Sequence, residues 1–286
     1  MEVLEHDQLI LQAQDLEPLP ATASRLARLV ADPNSEMKEI VEAISLDQAL
    51  TVKVLRVANS ASSGSVNAIT TVDRAVIRLG TGAVLSMAVA AGVRTRMLGA
   101  VPAYDLSEGR LWEHSVAAAL AAESMIGLPS FTVPPETFTA ALLHDVGKLV
   151  LGRFLDRDIQ EFLERARSDG GRSGPEAETE VLNVNHAELG GLIAAHWKLP
   201  RSICVGIQYH HEPEECGDEE GLEHVPWIVH LADLVAARLG RGTHDTVPED
   251  EDFAPALGAL GMDERKFGKL IERTERRLEE VGERFN

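Results

Sequence analysis

Apolar residues recur every three or four positions along most of the chain. Leu26, Leu29 and Val30 form one such set, Ile40, Val41 and Ile44 a second, and Val52 and Leu55 a third. That spacing lays one stripe along an α-helix. No run alternates apolar and polar residues with the β-branched and aromatic content of a strand. Helix boundaries are marked as well. Pro33-Asn34-Ser35-Glu36 predicts a start with Asn or Ser as N-cap and an acid in the first turn. Ser45-Leu46-Asp47-Gln48 has the pattern of a capping box, and Asn185-His186-Ala187-Glu188 offers an acceptor with an acid three residues on. Gly80 and Gly127 follow helical patterns where a C-terminal glycine sits, with Pro129 close behind the second. The fold class expected is all-α.

Three stretches differ in character. Residues 1–105 read as an N-terminal subdomain of short Ala/Val/Leu helices, and residues 106–240 carry most of the histidines. Residues 241–286 hold an acidic loop, Pro248 to Asp252, and a charged helix over Asp263–Arg284. Ser168–Pro175 reads as a flexible loop. Composition is ordinary for a globular protein, 44% apolar and 26% charged over 286 residues. Charge is not: 27 Lys+Arg against 46 Asp+Glu leaves −19, which disfavours nucleic acid as a partner. Ala75 to Ser86 has helix-turn-helix spacing, but its second helix offers no base-reading side chain before Arg94. The most apolar stretch, Val84 to Val93, is ten residues, and a bilayer needs about 20. With an acidic N-terminus and no signal-peptide pattern, a cytoplasmic protein that does not enter membranes is expected. Cys204 and Cys216 form no CxxC pattern, so no disulfide is expected.

The chemistry lies in the histidines. His144-Asp145 directly follows the apolar run Ala141-Leu142-Leu143, and Gly147 and Lys148 come next. Imidazole and carboxylate together suit Fe, Mn, Ni or Zn, and a carboxylate can bridge two ions. Helix geometry would carry the pair from the core to a surface crevice. There Gly147 would leave room for a ligand and Lys148 would supply a cation for a phosphate. A lone His–Asp pair is more often a buried hydrogen bond that positions a helix. Here, however, His114, His186, His210, His211 and Asp233 each fall on an end or face of a different predicted helix. Helical bundles gather metal ligands in that way.

The order His114, His144-Asp145, His186, His210-His211, Asp233 resembles the HD superfamily of metal-dependent phosphohydrolases, including the two extra histidines of its HD-GYP branch. Leu19-Pro-Ala-Thr-Ala23, Ile44 to Ser60, Ile69 to Gly80, His186 to Pro200 and His230-Leu-Ala-Asp233 are similar to the HDOD domain, the HD-related output domain of bacterial signalling. The resemblance spans about residues 16–240. It implies two packed helical subdomains, the C-terminal one an HD-like bundle, and a dinuclear divalent-metal site held by His114, His144, Asp145, His186, His210, His211 and Asp233. Asp145 and Lys148 would be the catalytic residues. Two departures stand out. No Gly-Tyr-Pro triplet follows His211, and Arg110 occupies the position four before His114 where some HD-GYP enzymes carry a glutamate.

Two functions follow from the resemblance. One is a regulatory output module, partnered by signalling proteins, that keeps the HD-type site. The other is an active phosphohydrolase, a phosphodiesterase acting on a nucleotide or other small phosphoester. Seven acids between Glu212 and Glu223, with no Lys or Arg among them, disfavour polyanionic substrates if that loop covers the site. The alanine-rich helices Ala83–Ala91 and Ala117–Ala122 would either pack as core or present grooves to partner helices.

Overall fold

The computed structural model describes residue 11 and residues 16–59, 68–154, 174–217, 221–243 and 247–285. The expected loop at Ser168 lies outside these as far as residue 173, as do Asp218, Glu219 and Glu220 of the acidic run. No strand occurs among the described residues, only one isolated bridge between Val101 and Leu106. The all-α expectation holds.

The N-terminal helices are α1 (Ala21–Ala31), α2 (Met37–Ser45), α3 (Gln48–Ala58), α4 (Val72–Leu79) and α5 (Thr81–Met97). α1 packs on α5, and α2, α3 and α4 pack on one another. The bundle that follows contains α6 (Arg110–Ser124), α7 (Thr137–Leu143), α8 (Lys148–Phe154), α9 (Gly174–Leu182), α10 (His186–His196), α11 (Arg201–Gln208) and α12 (His224–Ala236). α6 lies between α7 and α12, and α11 packs against α7, α10 and α12. α5 joins the two halves through α6 and α7, so their apolar residues make one continuous core. α13 (Ala254–Ala259) sits on α12, and α14 (Glu264–Phe285) runs back along α6.

Local chemistry explains most boundaries. Asn185 and Glu188 close a reciprocal capping box on α10, as their spacing predicts. The box expected at Ser45–Gln48 does not form. Ser45 still belongs to α2 and donates to the Val41 carbonyl at 2.7 Å, while the extended Asp47 caps α3 by accepting from Leu50 N–H at 3.0 Å. α2 is capped by Glu36 with Glu39, not by Asn34 or Ser35. Gly174 and Pro175 open α9, where a loop was expected.

α4 and α5 bend by 103° at Gly80, close to a helix-turn-helix angle. α5, however, buries Val84, Leu85, Ala88, Val89 and Val93, so the second helix of that bend is a core element. Ala117–Ala122 is buried throughout and is core, not a groove. No single described helix is long and apolar enough to cross a membrane. Cys204 and Cys216 are both buried thiols, and burial pushes the Cys204 pKa up.

One contact sets the geometry of the bundle. Gly147 lies in the turn between α7 and α8, and a Cβ there would overlap the His186 carbonyl oxygen and crowd the Gly190 amide. The room expected for a ligand at Gly147 is filled by the first turn of α10. Because the obstructing atoms are backbone, Gly147→Ala should destabilise the protein by about 2 kcal/mol or more, in the range of overpacked cores. Thermal melting of the variant checks this, and an unchanged Tm would contradict the close approach.

Candidate metal centre

His144 and Asp145 follow the last residue of α7 and form the tight turn into α8. They do not reach a surface crevice: His144 is fully buried and Asp145 is 1% exposed. Helices α6, α10, α11 and α12 close around that turn and bring the other candidates to it. His114 comes from α6, His186 from the first position of α10, His210 and His211 from just past α11, and Asp233 from α12. All seven sequence-predicted ligands meet.

They meet as two outer sets and a third, His144, Asp145 and His210, that overlaps both. His114, His144 and Asp233 have nitrogen and oxygen atoms within 4.8 Å of one another, and so do His186, His210 and His211. Asp145 lies between. Its Oδ2 is 3.4 Å from His114 Nε2 and 3.6 Å from His144 Nε2, while Oδ1 is 3.2 Å from His186 Nε2. Asp233 Oδ1 sits 3.1 Å from His114 Nε2 and 3.7 Å from His144 Nε2.

The imidazoles are anchored from behind. Nδ1 of His114 is 2.8 Å from the Arg241 carbonyl, Nδ1 of His144 is 2.7 Å from that of Ala141, and Nδ1 of His210 is 2.6 Å from that of Ile207. A carbonyl only accepts, so each Nδ1 carries a proton and, in the neutral ring, Nε2 presents a lone pair to the centre. His114 Nε2 and His144 Nε2 then face each other at 3.0 Å, as do those of His186 and His211. His210 Nε2 is buried with no hydrogen-bond partner. Converging lone pairs, an orphaned buried nitrogen and two carboxylates are what a divalent cation of the Fe, Mn, Ni or Zn type requires, so the residues fit such a group.

Lys148 is 2% exposed, and its Nζ donates to Asp145 Oδ2 at 2.7 Å and to Thr243 Oγ1 at 3.1 Å. The cation expected to await a phosphate is therefore already engaged with the central carboxylate. Arg110 donates to the Gly242 carbonyl at 2.9 Å.

Several supporting groups carry no sequence signal of their own. Glu178 on α9 accepts from His186 at both the backbone N–H and Nδ1. His230 Nδ1 donates to the His210 carbonyl at 2.7 Å, one turn before Asp233 on the same helix. Arg241, Gly242 and Thr243 lie just past the 240/241 boundary, and they reach the centre because Gly240, at φ 73°, turns the chain back after α12. The only signal for Thr243 or Arg241 in the sequence is that glycine. His230 is visible within the His230-to-Asp233 motif, but the motif assigns it no role.

An all-helical fold that collects five histidines and two aspartates from three helices, the α7–α8 turn and the segment just past α11 defines an HD-type protein. Within that class the chain belongs to the HDOD family, whose domain matches residues 16–213. The matched span ends before α12 and Asp233. An HDOD domain protein of unknown function from Geobacter sulfurreducens has a similar structure, with a TM-score of 0.68, 23% identity and 96% of each chain covered. A provisionally named phosphohydrolase from Shewanella amazonensis SB2B is 26% identical, with a TM-score of 0.64 over 95% of this chain and 94% of that one. An uncharacterized protein of Treponema pallidum (strain Nichols) is 26% identical over 211 residues, and the match covers 39% of its length.

The charge state of the centre makes a prediction for the metal-free protein. Burial opposes ionisation of Asp145 and Asp233, but Lys148 and His144 around the first, and His114 and His144 around the second, hold both well below the usual carboxylate range. Burial also opposes charge on His144, yet Asp145 and Asp233 raise its pKa, and Glu178 does the same for His186. Burial and the neighbouring histidines push His210 and His211 well below 6.5. Stability from His144 and His186 is present below 6.5 and is lost as pH rises through their raised values. Stability falls on the acid side too. Below 6.5 the unfolded chain protonates His210 and His211 while the folded one does not, and the carboxylates follow at lower pH. Melting of metal-stripped protein should therefore show a maximum near pH 6.5 (about the unperturbed histidine value). A Tm rising steadily from pH 6 to 9 would contradict these assignments.

Proposed function

We propose that the protein is an HDOD signalling module whose buried centre holds a pair of divalent metal ions. The observation that supports this best is the position of Asp145, with Oδ2 toward His114 and His144 and Oδ1 toward His186, so that one carboxylate touches a member of each outer set. In this reading Asp145 serves both sets. His114, His144 and Asp233 hold one ion, and His186, His210 and His211 hold the other. Arg241, Ala141, Ile207 and Glu178 keep the ring protons on the far side from the centre. Lys148 offsets part of the charge that Asp145 and Asp233 bring. The partners of such a module are other signalling proteins.

A second reading, metal-dependent phosphohydrolase, is favoured by one observation. Asp233 keeps 21% of its side chain exposed and His211 is only partly buried, which gives the centre an edge toward solvent. A bound metal pair would supply Lewis acidity and an activated water there. Asp145 would hold it and Lys148 would meet the phosphate of a small phosphoester or nucleotide. Against polyanions stands a cleft of about 430 Å³ at the start of α10, lined by Glu176, Glu180, Glu188 and Glu212 together with Asn185. Burial and the neighbouring glutamates raise the Glu212 pKa, a sign of crowded negative charge. The regulatory reading is therefore the stronger.

Metal per chain, measured on protein purified without a His-tag and supplied with Fe, Mn, Ni or Zn, tests the site. Wild type should retain metal, Asp145→Ala should lose it, and His210→Ala should keep partial occupancy. A wild type that stays metal-free would end both readings. Hydrolysis of bis(p-nitrophenyl) phosphate separates them. The module shows none, whereas a hydrolase shows turnover per bound metal that Lys148→Ala lowers.

A further inference from the structure

Most imidazoles in the centre are anchored through Nδ1 to a backbone carbonyl, but His186 is anchored to a carboxylate. Glu178 Oε2 lies 2.7 Å from His186 Nδ1 and accepts the His186 backbone N–H at 2.8 Å. Glu178 is 2% exposed, and its pairing with His186 offsets the cost of burying it. The two donor sets also differ in charge. The His114, His144 set includes Asp233, while His186, His210 and His211 contain no carboxylate of their own; Asp145 reaches that set through His186, at 3.2 Å, and through the group it forms with His144 and His210.

We propose that Glu178 is a positioning residue that gives the three-histidine set its metal affinity. It holds the proton on His186 Nδ1 and supplies the negative charge that this set lacks. The proposal rests on the reading of the centre as a metal site. A carboxylate behind a ligating imidazole fixes its tautomer and raises its basicity, and losing such a partner costs about ten- to a hundredfold in metal affinity. A purely structural role for Glu178 accounts for less. The N-terminus of α10 already has its own capping box from Asn185 and Glu188, so Glu178 is not needed to start the helix.

The test is calorimetric titration of zinc into the metal-stripped full chain, for wild type, Glu178→Gln and Glu178→Asp. Glutamine keeps an oxygen acceptor and removes the charge, and aspartate keeps the charge on a shorter stem. Wild type should show two zinc-binding steps. Glu178→Gln should weaken one of them by about ten- to a hundredfold and leave the other unchanged, and Glu178→Asp should recover part of the loss. Two unchanged steps, or two steps weakened equally, would overturn the proposal while leaving the metal site intact. Wild type that binds no zinc would take down the metal reading and this proposal together, and wild-type data alone reveal that case. Should Glu178→Gln fail to fold, the tautomer of His186 in zinc-loaded wild type decides. Long-range proton–nitrogen correlation spectra should show Nδ1 protonated, and a proton on Nε2 would overturn the assignment.

Discussion

Everything in the centre depends on one buried carboxylate. Asp145 is 1% exposed, and both of its oxygens are in use, Oδ1 toward His186 and Oδ2 toward Lys148, His114 and His144. A buried charge is tolerated only when it is paired and hydrogen-bonded. The surrounding structure meets that demand with groups from the whole bundle. The turn that carries Asp145 can sit against α10 only because residue 147 is glycine, and that contact delivers the His186 ring to the second oxygen. The site and the packing of α7, α8 and α10 are therefore a single constraint.

The same demand explains the second ring of contacts. Lys148 lies one turn after Asp145 and is nearly as buried, and Thr243 accepts one of its protons. Glu178 is a further buried carboxylate, held below its ordinary pKa, against the opposing effect of burial, by the His186 contacts. Removing either member of such a pair leaves an uncompensated charge in a dry environment, which costs more than the pair itself contributes. Without metal, Lys148 pairs with Asp145, and the neighbouring carboxylates raise the His144 and His186 pKa so that both rings hold protons more readily than a free imidazole. A divalent cation would replace those protons, which ties metal binding to pH.

Much of this is legible in the sequence, and for physical reasons. A helical period of apolar residues reports burial directly, so the all-α fold follows from Leu26, Ile40, Val52 and their neighbours. The seven candidate ligands are legible because polar rings and carboxylates that recur at the ends of apolar helices must be satisfied there, by one another or by a cation. The environment of those ligands is not legible. That His144-Asp145 is buried depends on α6, α10, α11 and α12 closing over it, which no local pattern encodes. Glu178 looks like any acid in a polar segment. Arg241 and Gly242 act through backbone carbonyls, which carry no residue signature. Ser45 fails as a cap because α2 runs further than its spacing implies. The charge of Lys148 suggests a phosphate, but its partner Asp145 stands one turn earlier on the same backbone and takes it first.

The central claim is that Asp145 stands between two metal-holding sets. The most direct measurement is anomalous diffraction from crystals of zinc-loaded protein. Two peaks are expected, one among His114, His144 and Asp233 and one among His186, His210 and His211, with the Asp145 carboxylate between them. A map with no peak at Asp145, or with zinc only on surface acids such as Glu176 and Glu188, would contradict the account.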